Sequence, residues 1–89
     1  MQHVIKSNAH IEPFDNKKIE RSCMRACLNA HLSEPMSLKI CQKVSAGIAN
    51  WMSGRKAVAS VDVFEQVTML LAKENKDAAF MFKTHLDIN

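Results

Sequence analysis

Two adjacent lysines, Lys17 and Lys18, fall in the first turn of a segment that Asp15 is suited to cap. That turn is the positive end of a helix dipole, where a cation is disfavoured by roughly 0.3–1 kcal/mol. Asp15 and Glu20 offset part of the penalty, and a bound anion would offset more, because free amides and ammonium groups would converge on it. Lys6, leaving the preceding strand, is placed to join them. A plainer reading makes both lysines solvated surface residues leaning on nearby carboxylates. The local pattern alone does not separate the two.

Other reactive side chains form no constellation. The cysteines number three, an odd count that argues against a disulfide framework. Cys23 and Cys27 are four apart on a predicted helix and Cys41 lies on the next, but no Cys-x-x-Cys or His-x3-His spacing marks a metal site. They read as buried small apolar residues, with no metal expected. His3, His10, His31 and His85 are scattered and receive no role, and no serine or cysteine stands in a nucleophile motif, so no catalytic residue is assigned and the chain is not expected to be an enzyme.

The elements that must hold these residues follow from periodicity. Val4 and Lys6 alternate on a first strand, Ser7 to His10 forms a turn in which Asn8 is the residue best able to go left-handed, and Ile11, Glu12 and Phe14 alternate on the return. Ile19, Cys23, Ala26, Cys27 and Ala30 share one face of helix one. Ser33-Glu34-Pro35 opens helix two, whose inward face is Cys41, Val44, Ile48 and Trp51 or Met52. After a break at Ser53 to Lys56, Ala57 to Ala59 offers a third strand, and Ser60 is read as the cap of helix three. That helix buries Val63 or Phe64, Val67, Leu70 and Leu71. A link at Glu74 to Lys76 leads to a last helix with Ala78, Ala79, Phe82 and Leu86 inward. The fold class is mainly α with a small β-sheet (α+β): a four-helix bundle capped by an N-terminal hairpin and a third strand.

Eighty-nine residues suit a single domain spanning 1–89, and 47% apolar residues with 24% charged is an ordinary globular balance. A charge of +3 fits a small anion better than nucleic acid, which calls for a concentrated basic stripe. No apolar run approaches the ~18 residues of a membrane span, and the N-terminus lacks a secretory signal, so the expected location is the cytoplasm, without membrane contact.

The stretch from Val4 to Ala26 resembles the opening of the ATP-cone family, whose pattern is roughly V-x-K-R-x-G-x-x-E-x-F-[DN]-x-x-K-I followed by an alanine. Val4, Lys6, Glu12, Phe14, Asp15, Lys18, Ile19 and Ala26 match it in register. Val58 to Leu71 is similar to the family's third strand and third helix, and Asp77 to Asp87, more loosely, to its closing helix. The resemblance implies an allosteric module that binds ATP or dATP, with or without magnesium, and is found on ribonucleotide reductases and on a repressor of their genes. It implies partners to match: an adenine nucleotide, and either further copies of the chain or a reductase-type protein. By the same resemblance Lys6 and Lys18 would neutralise phosphates, Val4 and Ile19 would pack on base or sugar, Glu12 and Asp15 would recognise adenine, and the Ser60 hydroxyl would meet the nucleotide.

The chain departs from the pattern twice. Ser7 stands where the family usually has arginine, removing a bidentate phosphate donor, with Lys17, Arg55 or Lys56 as candidates to restore the charge. Ala9 replaces a glycine, so the turn is expected to rely on Asn8 instead. These losses support an alternative in which a degenerate cone serves as a protein-interaction module without nucleotide binding.

Overall fold

The computed structural model describes residues 2–6 and 8–85, the last by its backbone only. Ser7, Leu86 and Asp87, on which expectations fell, lie outside the described residues. The element order is β1 (His3–Ile5), β2 (Ile11–Pro13), α1 (Asn16–Asn29), α2 (Glu34–Met52), β3 (Ala57–Ala59), α3 (Ser60–Glu74) and α4 (Lys76–His85). Four helices and a three-stranded sheet make the α+β fold that the periodicities predict.

The sheet has the order β2-β1-β3, with β1 antiparallel to β2 and parallel to β3. The N-terminal strand is therefore central, paired on both sides. Gln2 fastens its start, donating from Nε2 to the carbonyl oxygens of Met52 at 2.6 Å and Arg55 at 2.9 Å.

Side chains cap three of the four helix starts among the described residues. Asp15 Oδ1 accepts from the Lys17 amide at 3.0 Å, and Ser33 Oγ from the Met36 amide at 3.3 Å, with Pro35 in the first turn of α2. Asn75 is the whole link between α3 and α4, and its Oδ1 accepts from the Ala78 amide at 2.9 Å. α1 stops at His31, which takes φ 65° while the Leu32 amide reaches back to Cys27 O and the His31 amide to Leu28 O. This is the double bond of a Schellman ending with histidine in the place glycine usually holds.

Two details differ from expectation. The left-handed residue of the hairpin turn is Ala9, with φ 65°, and not Asn8. Asn8 contributes differently: its Oδ1 accepts from the His10 amide at 3.0 Å, which closes the turn locally and forces the next backbone unit to absorb the reversal. Ser60 does not cap α3 either. β3 runs straight into the helix, Ala59 occupies the cap position, and no side chain bonds the first amides.

The core is one cluster. Cys23, Ala26 and Cys27 of α1 meet Ile40, Cys41, Val44, Ile48 and Met52 of α2, with Val63, Val67 and Leu71 of α3 and Ala78, Ala79 and Phe82 of α4. Trp51 is only half-buried, so Met52 is the inward residue at the end of α2. Gly47 lets α2 approach α3, since a Cβ there would stand 2.9 Å from Leu70 Cδ1.

Candidate functional site

A hollow opens between the hairpin, the N-terminal ends of α1 and α3, and α4, with about 820 Å³ of empty space, open mouth included. The enclosed part is about 150 Å³, below the roughly 300–1,000 Å³ of small-molecule sites, so a larger ligand would extend into the open mouth. All seven residues singled out from the sequence, Val4, Lys6, Glu12, Asp15, Lys18, Ile19 and Ser60, line it.

Strand geometry explains the hairpin's share. Val4 and Lys6 are two apart in β1 and its continuation, and Val4 pairs directly with Glu12, so the three side chains share the inner face. Ile5 and Ile11, paired one step along, are turned to the exposed outer face. On α1, Lys18, Ile19 and Ser22 lie within one turn of each other along the wall. Ser60, freed from capping, adds a hydroxyl at the start of α3.

The charges converge on one carboxylate. Lys6 Nζ stands 3.3 Å from Glu12 Oε1, and Lys18 Nζ 3.9 Å from Glu12 Oε2, so the carboxylate forks between two ammonium groups. His10 Nε2 lies 3.8 Å from the same Oε1. Of the two adjacent lysines, Lys18 does lean on a carboxylate, but on Glu12 of the hairpin and not on Asp15 or Glu20. Residues at the N-terminal ends of two helices, Asp15 and Lys18 of α1 and Ser60 of α3, line the same space.

Behind the charges the walls are apolar. Phe14, Ile19, Val63, Phe64, Val67 and Phe82 form a slot, and Phe64 meets Phe82 edge-on with ring centroids 6.5 Å apart and an interplanar angle of 66°. Sequence reasoning placed Val63, Phe64, Val67 and Phe82 in the core only, because helical period marks an inward residue without saying whether it meets other side chains or a cavity. Ser22 was missed too. Its position four residues after Lys18 was the available signal.

Lys17 does not join the hollow. It lies on a second groove with Glu20, Arg21, Met24, Arg25, Leu28 and Leu38, because consecutive helical residues diverge by about 100°. Arg55 does not restore the missing charge either: its guanidinium carbon sits 4.7 Å from the centre of the Trp51 ring, and its Nε donates to Trp51 O at 2.8 Å. Lys56, just before β3, is exposed and outside the lining. The hollow therefore holds two lysines among the described residues.

The cysteines are buried as expected but are also brought together. Cys23, Cys27 and Cys41 are fully buried, with their sulfur atoms within 4.8 Å of one another. Burial, then the neighbouring Cys41, pushes the Cys27 thiol up to about 12. Cys41 is pushed up further, by its contact with Cys23 first and burial second.

Paired ammonium groups thus stand at the mouth of an apolar slot. The family model described as the ATP cone domain matches residues 2–84, and the chain belongs to that family. Membership makes it a nucleotide-binding regulatory module in kind, as the ATP cone is a regulatory and not a catalytic domain. A search of curated proteins finds no match. Among the described residues, no helix is long and apolar enough to cross a membrane.

Proposed function

We propose that this chain, acting as a single domain over residues 1–89, binds ATP or dATP in the hollow and that occupancy controls an association state. The convergence of Lys6 and Lys18 on one carboxylate at the mouth of an apolar slot carries this reading. Glu12 supplies a negative charge to both lysines. An incoming triphosphate takes its place, and the displaced carboxylate becomes free to accept from the adenine amino group, with Asp15 beside it. Val4 and Ile19 pack on the base or sugar, and Ser60 donates its hydroxyl at the start of α3. The triphosphate binds with or without magnesium, since the lysines and helix amides already supply positive charge.

The regulated protein is either this chain's own oligomer or an attached or associated enzyme such as a ribonucleotide reductase, working in the cytoplasm. Calorimetric titration with ATP and dATP tests the ligand, and light scattering with and without nucleotide tests the association. Neither heat nor a thermal shift at millimolar nucleotide would remove the reading.

A second reading is favoured by a specific observation. The groove along the outer side of α1 sets Lys17, Arg21 and Arg25 at i, i+4 and i+8 beside Met24, Leu28 and Leu38. That mixture of cations and exposed apolar residues suits a protein partner, as the degenerate-cone alternative requires. It predicts an oligomeric state that ignores nucleotide. A nucleic-acid role is disfavoured, because the cations divide between this groove and the hollow.

A further inference from the structure

Three thiols meet where α1 lies against α2, on the far side of the core from any solvent. Cys23 and Cys27 stand one turn apart on α1 and Cys41 faces them from α2, with no accessible surface on any of the three. Their sulfur atoms lie within 4.8 Å of one another, and Cys27 Sγ and Cys41 Sγ are 3.9 Å apart. None of them lines the nucleotide hollow. A core that only needs filling has no reason to gather its three sulfurs at one point.

The 3.9 Å between Cys27 and Cys41 is the spacing of ligands on a shared ion, and Cys23 lies within 4.8 Å of both. Two thiolates about 2.3 Å from one metal stand ~3.8 Å apart when it is tetrahedral and ~4.0 Å apart when it is trigonal. A disulfide would demand sulfurs ~2.05 Å apart and Cβ atoms within ~4.5 Å, whereas residues one helical turn apart hold their Cβ atoms ~5–6 Å apart. Cys23 and Cys27 are thus poorly placed to bond each other and well placed to chelate.

The donor count selects the ion. Among the described residues no histidine, aspartate or glutamate joins the three sulfurs. Structural zinc asks for four strong ligands, while soft thiolates and a low coordination number suit monovalent copper. A second observation points to the same place. Ser37 is completely buried, its hydroxyl has no partner, and it lies one turn before Cys41 on the same face of α2. That hydroxyl has no hydrogen-bond partner, the sulfurs included, and a metal-bound thiolate one turn along would offer it a charged acceptor.

We propose that Cys23, Cys27 and Cys41 form a binding site for a soft, thiophilic metal ion, cuprous copper, with Ser37 supporting the ligand set. Each thiol that becomes a ligand releases one proton to solvent, the copper stays monovalent, and no electron is transferred. The sulfurs are sealed, so the ion enters when α1 lifts from α2 or while the chain folds.

The test uses the full chain, fully reduced and free of oxygen. Cuprous ion is titrated into the native protein against a chromophoric copper(I) chelator, and a parallel sample is refolded with one equivalent of the ion. The expected result is one copper per chain by at least one route, with a sulfur-only coordination shell by X-ray absorption. Cys23→Ala, Cys27→Ala and Cys41→Ala should each weaken binding more than Ser37→Ala, whose loss is set at roughly tenfold by the usual effect of an outer partner. Ser37→Ala removes no ligand, so it and the absorption spectrum decide the matter if a cysteine variant fails to fold. Failure to reach half an equivalent by either route, oxygen or nitrogen in the shell, or preference for zinc in the same competition would each overturn the assignment.

Discussion

Replacing Lys6 or Lys18 by alanine separates a binding role from a structural one, because the two roles differ in size. Each lysine pairs with Glu12, at 3.3 and 3.9 Å, with 36% and 61% of the lysine side chains and 32% of the glutamate exposed. Pairs so open to water contribute about 0.2–1 kcal/mol, so either substitution should lower folding stability by no more than that. A hydrogen bond to a charged phosphate contributes about 1.5–3 kcal/mol. Subtracting the Glu12 pairing that nucleotide must displace leaves about 0.5–2.8 kcal/mol, or roughly 2- to 100-fold in affinity at ~1.4 kcal/mol per tenfold. Calorimetric titration of ATP, with urea denaturation of the same variants, reads both quantities. Raising the salt should weaken binding to the native chain more than to the variants. Should Lys6→Ala bind ATP within a factor of two of the native chain, the phosphate role of that lysine is refuted.

Ala9→Gly relieves a left-handed alanine that costs about 1–2 kcal/mol, against a glycine entropy penalty of ~0.5–1 kcal/mol, so thermal melting should show a modest rise. Asp15→Ala removes a helix cap and should lower stability by about 1 kcal/mol in urea titrations, whereas Asp15→Asn keeps the bond to the Lys17 amide and should hold within a few tenths. Phe82→Ala opens both the core and the slot, and a loss of about 3–5 kcal/mol is expected on unfolding. For the metal-free protein, the Cys27 thiol is raised from 9.0 to about 12, so the folded state holds its proton more tightly than the unfolded one. Its contribution is complete below pH 9 and is lost as pH climbs from there toward 12. Urea denaturation should therefore show stability falling above pH 9, less steeply in Cys27→Ala.

The parts of the fold set by local chemistry were legible before the structure was known. Asp15 and Ser33 announce helix starts through side chains that need no distant partner, and the apolar periods of α1 to α4 identify the buried faces, whereas Asn75 was read only as part of a link and proves to cap α4. Features decided by competition between neighbours were not. Asn8 prefers the left-handed region more than alanine does, but its side chain is taken up by the His10 amide and Ala9 makes the reversal. Ser60 looks like a cap until β3 is seen to run into α3. In the site, the resemblance pointed to the polar wall residues except Ser22, while Phe64 and Phe82 were indistinguishable from core. Lys17 and Lys18 part company because a helix turns between them, and three cysteines on two helices meet only once α1 has packed against α2.

The junction at Ala59 and Ser60 has a mechanical consequence. With β1 hydrogen-bonded to β3 and no loop between β3 and α3, the sheet and the third helix make a single stiff arm. Any displacement of the hairpin must therefore be carried along that arm as a tilt, because no slack exists at its elbow to absorb it. The far end of α3 reverses through one residue, Asn75, into α4, so this helix is held at both ends by junctions that contain almost no loop.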